Sequence, residues 1–301
     1  MSKRDFISLS DFSREELDEI LSRAVKLKEE RAMNLVRSPL KGKTGILMLQ
    51  QNSTRTRLAF EAGMTQLGGH SIFLNDQDSQ ASRGEPLEDF ARVASQMADV
   101  IMTRRPNQQE IEALAKYATI PVINGMSSDL HPCQLLADMQ TFKELKGSIT
   151  GRSVAFIGDG YNMCNSYIEA SSIFDFNLRI ATPNGYEPKP KFLAMSENIT
   201  LYESPKEAVR EADLVVTDVW SSMGQEKEST KRMESFRPYQ VNKELLDLAK
   251  NDVIFMHCLP AHRGEEISPD LLDDARSAVW QEAGNRLHTQ KALLEFLLGP
   301  I

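Results

Sequence analysis

Apolar positions near the start of the chain recur at helical spacing, then give way to short uninterrupted runs. Ser13 with Glu16 forms a capping box, and Leu17, Ile20, Leu21, Ala24 and Leu27 follow on one face, predicting an amphipathic helix that ends before Pro39. The pattern then predicts strand Gly45–Leu49, helix Thr54–Leu67, strand Ser71–Leu74, helix Leu87–Met97, strand Val100–Met102, helix Gln109–Tyr117 and strand Pro121–Ile123. A long helix from Pro132 to Leu145 precedes a Gly-containing break at Lys146–Gly151. Beyond it, strands are expected at Ser153–Ile157, Leu178–Ala181, Leu214–Thr217, Val253–His257 and Ala278–Trp280, with a last helix over Arg286–Leu298. Such alternation implies two open parallel-sheet α/β domains with a cleft between them and helices on both sheet faces, the last helix folding back on the first domain. The boundaries are placed at 1–147, joined by the returning helix 286–301, and at 148–285.

Length agrees with that division, since 301 residues at roughly 150 per domain give two. With 41% hydrophobic and 26% charged residues the chain can bury a sizeable interior. The net charge of −8, from 35 basic against 43 acidic residues, provides no basic field to gather nucleic acid. Any anionic ligand must therefore be held by a few placed arginines. No apolar run approaches the roughly 20 residues that span a bilayer. The charged start Met1-Ser2-Lys3-Arg4-Asp5-Phe6 is unlike a signal segment, so a cytoplasmic location without membrane attachment is expected. Cys133, Cys164 and Cys258 are too scattered for a disulfide framework and are expected to be reduced thiols.

Ligands of open parallel sheets bind beyond the carboxyl ends of strands. The loop after Leu49 leads into Ser53-Thr54-Arg55-Thr56-Arg57, where hydroxyls and free N–H groups at a helix start, backed by guanidinium forks, suit a phosphate. His131-Pro132-Cys133-Gln134 places a histidine just outside a helix that opens on proline. Beside the helix N–H dipoles its imidazolium form is disfavoured, leaving a neutral donor for a carbonyl oxygen. His257-Cys258-Leu259-Pro260 puts a thiol at the tip of an apolar strand. Taken alone, each cluster also has an ordinary structural reading: an N-cap, a turn histidine, a buried cysteine.

Together, Ser-Thr-Arg-Thr-Arg, His-Pro-Cys-Gln and His-Cys-Leu-Pro, in this order and spacing, resemble the signature of the aspartate/ornithine carbamoyltransferase family over nearly the whole chain. Asp218-Val219-Trp220-Ser221-Ser222-Met223-Gly224 and Gly158-Asp159-Gly160-Tyr161-Asn162 are similar to segments of its ornithine-using branch. The resemblance implies transfer of a carbamoyl group from carbamoyl phosphate to the δ-amine of L-ornithine, giving citrulline and phosphate in arginine biosynthesis, with no metal or organic cofactor. It further implies a homotrimer. Ser53, Thr54, Arg55 and Thr56 would bind the phosphate, with Gln80 reaching it from a loop of a neighbouring subunit. Arg104, His131, Pro132, Cys133 and Gln134 would surround the carbamoyl group. Asn162, Asp218, Ser222 and Met223 match positions that hold the amino-acid end of ornithine, and Cys258, Leu259 and Arg286 match positions near the reacting carbon and amine. Arg55, Arg104, His131 and Cys258 would carry the chemistry.

The pattern is not matched everywhere. Leu49-Gln50-Gln51-Asn52 stands where relatives often read Phe-x-Lys-Pro, and Gly284-Asn285-Arg286 where they read Glu-Asn-Arg. Alternatives within the chemistry are another acceptor, putrescine or an acylated ornithine, and the catabolic direction. A Rossmann-type oxidoreductase is the rival of another class, but Gly158-Asp159-Gly160 lacks the third glycine of a dinucleotide fingerprint. His70, His262 and His288 lack ligand spacing for a metal, and the charged stretch Glu226-Lys227-Glu228 with Lys231-Arg232 is expected to be a solvated helical face.

Overall fold

In the computed structural model, which describes residues 3–50, 53–75, 84–221 and 229–299, the chain forms two compact units. One runs to Gln140 and resumes at Gly284; the other spans Thr141–Ala283.

The first unit begins with α1 (Arg14–Ala32), whose capping box and buried Leu17, Ile20, Leu21, Ala24 and Leu27 are those expected. Then come β1 (Thr44–Leu49), α2 (Thr54–Gln66), β2 (His70–Asn75), α3 (Leu87–Ala94), β3 (Val100–Arg104), α4 (Gln108–Tyr117), β4 (Val122–Met126) and α5 (Pro132–Lys146). The strands are parallel in the order β2-β1-β3-β4. Successive strand residues point to opposite faces, yet Ile46, Leu47, Met48 and Leu49 are all buried, so this sheet is covered on both sides. Ile46, Met48, Ile101, Ile111, Leu114 and Val122 share one core cluster.

The second unit contains β5 (Ser153–Ile157), α6 (Asn162–Phe174), β6 (Asn177–Ala181), α7 (Pro190–Leu193), β7 (Ile199–Tyr202), α8 (Pro205–Val209), β8 (Leu214–Thr217), α9 (Ser229–Phe236), α10 (Lys243–Leu246), β9 (Ile254–His257) and the start of α11 (Val279–Leu298). Its sheet is also parallel, in the order β7-β6-β5-β8-β9. Ile157, Val215, Phe255, Ile267 and Val279 lie in its core. From Gly284 onward α11 belongs to the first unit, where Phe296 meets Phe12 edge-on at 5.3 Å and Glu295 pairs with Arg23 of α1. Among the described residues, no helix is long and apolar enough to cross a membrane.

Two expectations need correction. Ala278–Trp280 is no strand: Phe255 and Ser277 form a single bridge, after which the chain turns directly into α11 at Val279. The solvated face expected at Lys231-Arg232 is only half present, for Lys231 is exposed while Arg232 keeps 4% of its surface. Residues 226–228 lie outside the described residues. Strand β7, at the sheet edge, was not anticipated.

Strand order locates the places where ligands bind. In each sheet the winding direction reverses once, between β1 and β3 and between β5 and β8. Crevices open beyond the carboxyl ends of the strands at such reversals.

Candidate active site

At the first reversal, β1 and β3 run side by side with Leu49 opposite Arg104. The chain leaves β1 and enters α2 at Ser53, the N-cap residue, so that Thr54, Arg55 and Thr56 form the first turn with N–H groups pointing outward. Arg104, 8% exposed, donates from Nη1 to Ser53 Oγ at 3.0 Å. The register between β3 and β4 shifts at Thr103/Arg104, where β4 carries one extra residue, Gly125. The helix contributes Thr56, buried, whose hydroxyl accepts from Arg286 Nη2 at 3.3 Å. Arg286 Nη1 also donates to Gln134 Oε1 at 2.6 Å, and Gln134 Nε2 donates to Asp138 Oδ1 at 2.9 Å. Thus Arg286, from the returning helix α11, ties α2 to α5.

His131 sits immediately before α5 and is buried. Its imidazolium is pushed well below the ordinary range, first by burial and then by repulsion from Arg286, Arg104 and Arg55. The expected direction is present, and the cause is a dry site crowded with guanidinium groups. A neutral ring surrounded by three cations can donate a hydrogen bond toward an anion without adding charge. Pro132 opens α5 and Cys133 follows with no exposed surface, its Sγ donating to the Asn124 carbonyl at 3.3 Å. Burial pushes that thiol up to about 12, so Cys133 offers a ligand no thiolate.

The second reversal gathers a different set. Asp218 follows β8 directly; its Oδ1 accepts from the Cys258 thiol at 3.2 Å and from Val219 N at 2.7 Å. Burial raises the Asp218 carboxyl above its usual value, with His257 and the Cys258 contact partly opposing the shift. Cys258 is held by a loop of constrained shape. Leu259 adopts φ 56, a left-handed conformation uncommon for a branched side chain, and the Leu259–Pro260 bond is cis. Leu259 N donates to His257 Nδ1 at 2.9 Å, which assigns the ring proton to Nε2, the atom 3.0 Å from Glu266 Oε1. His257 N donates to Glu282 Oε2 at 2.9 Å. Asn162 starts α6 nearby in the fold, after β5, with its Oδ1 accepting from Met163 N at 2.8 Å.

The first unit therefore brings together Ser53, Thr54, Arg55, Thr56, Arg104, His131, Gln134 and Arg286. The second brings together Asp218, Cys258 and Leu259, with Asn162 at the neighbouring strand end. Gln80, Ser222 and Met223 lie outside the described residues. Asp138, Glu266 and Glu282 were not singled out by the sequence, and His257 entered only as part of the His257–Pro260 motif without a role of its own; each acts on a neighbour through a contact formed only on folding. Asp218, His257 and Cys258 each offer a ligand atom within 4.8 Å of one another. Both ring nitrogens of His257 are committed elsewhere, leaving two donors, one fewer than a zinc site needs.

The three thiols are thus chemically unequal. Burial raises Cys133 and Cys164, whereas Cys258 is partly exposed. A thiol-specific chromogenic reagent at pH 8 is expected to titrate one cysteine in the native protein and all three in denaturant. Labelling of Cys258→Ser at the wild-type stoichiometry would contradict this assignment.

The comparisons with known proteins agree over the whole length. Residues 4–144 match the family model described as aspartate/ornithine carbamoyltransferase, carbamoyl-P binding domain, and residues 150–297 match the Asp/Orn binding domain of the same family. An ornithine carbamoyltransferase of Pseudomonas syringae pv. tomato is 57% identical over 301 residues, covering 100% of this chain and 98% of that protein. An anabolic ornithine carbamoyltransferase of Pseudomonas aeruginosa is 56% identical over 299 residues, covering 99% and 98%. Among solved structures, the ornithine carbamoyltransferase of Pyrococcus furiosus superposes with a TM-score of 0.95 at 46% identity, covering 100% of this chain and 98% of the other. With both domain models matched and such identity over full lengths, the chain belongs to the aspartate/ornithine carbamoyltransferase family.

Proposed function

We propose that this chain transfers the carbamoyl group of carbamoyl phosphate to the δ-amine of L-ornithine, releasing citrulline and phosphate, in the anabolic direction. The observation that supports it most is His131 kept neutral among Arg55, Arg104 and Arg286 at the β1/β3 reversal. Carbamoyl phosphate is a phosphate dianion joined to a carbonyl, and it needs cations at one end and a donor for the developing oxyanion at the other.

In this reading Ser53, Thr54, Arg55 and Thr56 receive the phosphate on the first turn of α2. Arg104 and His131 donate to the carbonyl oxygen, with Thr56, Pro132, Cys133, Gln134 and Arg286 shaping the surroundings. The amine must arrive as the free base. Its nitrogen forms a bond to the carbonyl carbon, the carbon–oxygen bond to phosphate breaks, and the electron pair leaves with the phosphate, which takes up the proton the amine nitrogen loses and departs as hydrogen phosphate with Arg55 neutralising its charge. Asp218, Cys258, Leu259 and Asn162 hold and orient ornithine. Cys258 serves to position the amine: carbamoyl phosphate is already activated, so no covalent intermediate is required. The carbamoyl phosphate end falls to the domain of residues 1–147 with 286–301, ornithine to residues 148–285. A cytoplasmic homotrimer without metal or organic cofactor completes the proposal.

The decisive experiment offers carbamoyl phosphate with ornithine, aspartate, putrescine or acetylornithine to the purified protein and measures the carbamoylated product. Citrulline from ornithine is expected, with the other acceptors at least about 10²-fold slower, since putrescine lacks the carboxylate, acetylornithine the free α-amine and aspartate the δ-amine, and each loss leaves polar groups of the site unpaired. Preferential turnover of putrescine or acetylornithine would overturn the choice of acceptor, and no product from any of the four would overturn the reaction.

A further inference from the structure

We propose that Arg232 is a positioning residue for the acceptor end of the site: a single guanidinium ties together the loops after β5, β6 and β8 and so sets where Asn162 and Asp218 stand. This rests on the function proposed above. Arg232 projects from α9 into the protein, where Nη2 pairs with Asp159 and Nε donates to the Trp220 carbonyl. Asp159 lies in the loop after β5, three residues before Asn162, and Trp220 lies two residues after Asp218. The face of the same guanidinium meets Tyr186, from the loop after β6, at 4.8 Å from the ring centroid, and Phe236 at 5.1 Å. Tyr186 in turn packs against Phe236 at 4.8 Å, and Phe236 stacks on Trp220 at 6.2 Å.

The three loops leave adjacent strands, in the order β6-β5-β8. Those after β5 and β6 are also joined directly, for Gly160 N donates to the Tyr186 carbonyl at 2.9 Å. A Cβ at Gly160 would come within 2.5 Å of that oxygen, so the approach admits no side chain. Into this tight junction the fold inserts a nearly dry ion pair. A buried ion pair is a weak source of stability, because removing two charges from water offsets their attraction, and well-packed apolar residues do as well or better. What the pair contributes in its place is geometry. Arg232 holds a carboxylate of one loop and a backbone carbonyl of another from a single planar fork, fixing their separation.

The test compares wild type with Arg232→Lys and with the neutral pair Asp159→Asn/Arg232→Gln, each also in a Trp280→Phe background where Trp220 is the one remaining tryptophan. Lysine keeps the charge beside Asp159 but has no planar fork to hold Trp220 O as well. Ornithine KM is expected to rise about tenfold or more, with carbamoyl phosphate KM changed less than about twofold, the signature of lost acceptor binding alone. The thermal midpoint should stay near wild type for Arg232→Lys, and Trp220 emission should shift to the red. An unchanged ornithine KM in a folded variant would overturn the inference, as would a parallel rise of both KM values with a fall in thermal midpoint. Should the wild-type protein transfer nothing to ornithine, the proposed function fails separately. Trp220 emission then decides the clamp, and an unshifted spectrum in both variants overturns it.

Discussion

Arg104→Ala is expected to lower kcat for carbamoyl transfer by about 10²–10³, the usual loss when one fixed donor to a developing oxyanion is removed. Three features of Arg104 support so large an effect. It stands at the carboxyl end of β3, beside β1, where the sheet order reverses. Opposite it, β4 carries one extra residue, Gly125, between the partners of Thr103 and Arg104, so the ladder is irregular beside it. Its Nη1 is fixed on Ser53 Oγ at 3.0 Å, so no reorganisation is needed when charge develops. Arg104→Lys should recover only part of the loss, because an ammonium cannot hold Ser53 and a second acceptor in one plane. The same substitution has a second consequence. Burial and Arg286 come first in holding the His131 imidazolium down and Arg104 adds to them, so Arg104→Ala, unlike Arg104→Lys, moves the His131 pKa upward and shifts any His131-dependent acid limb of the pH profile to higher pH. Steady-state kinetics from pH 5 to 9 would check both points. A kcat within about threefold of wild type would contradict the donor role, since a lost donor costs far more.

The residues involved differ in how visible they are in sequence. Strands β1, β3, β5 and β8 are legible because strands covered on both faces are apolar over most of their length, and such runs stand out against polar loops. Edge strand β7 shows only half-burial across Ile199–Tyr202, and Ile-Thr-Leu-Tyr in a polar context gives no such signal. Ala278–Trp280 misleads for the opposite reason: three apolar residues sit where a single bridge gives way to a buried helix start. Ser53 and Arg55 are legible because phosphate-binding chemistry is local, confined to one helix turn. Arg286 is legible only through the family resemblance, as its partners Thr56 and Gln134 lie 230 and 152 residues away in sequence. Arg232 is obscured further, since a neighbouring charged run makes it resemble a surface residue while its partner Asp159 lies 73 residues upstream. Composition and periodicity report how a residue sits relative to the core; they do not report which distant carboxylate waits for it.

His131→Asn is the second substitution with a large expected effect, and it separates chemistry from stability. Loss of the ring should cost about 10²–10³ in kcat, the amide being a donor of different reach and direction. Its effect on stability has a definite sign. The folded protein holds the His131 pKa well below 6.5, while the unfolded chain returns it to that value. Below pH 6.5 the unfolded state therefore binds a proton that the native state refuses, and native stability falls as pH drops. The loss is at most about 1.4 kcal/mol per pH unit for one such group. Above that pH both states are neutral and the contribution is constant. Asparagine does not titrate, so the variant should lose less stability than wild type between pH 7 and 5, whatever other groups contribute to both. Urea unfolding of the two proteins at those pH values measures the difference directly. Equal losses in both would show that His131 is as free to take a proton in the native protein as in the unfolded chain, and the neutral donor assigned to the carbonyl oxygen would have no basis.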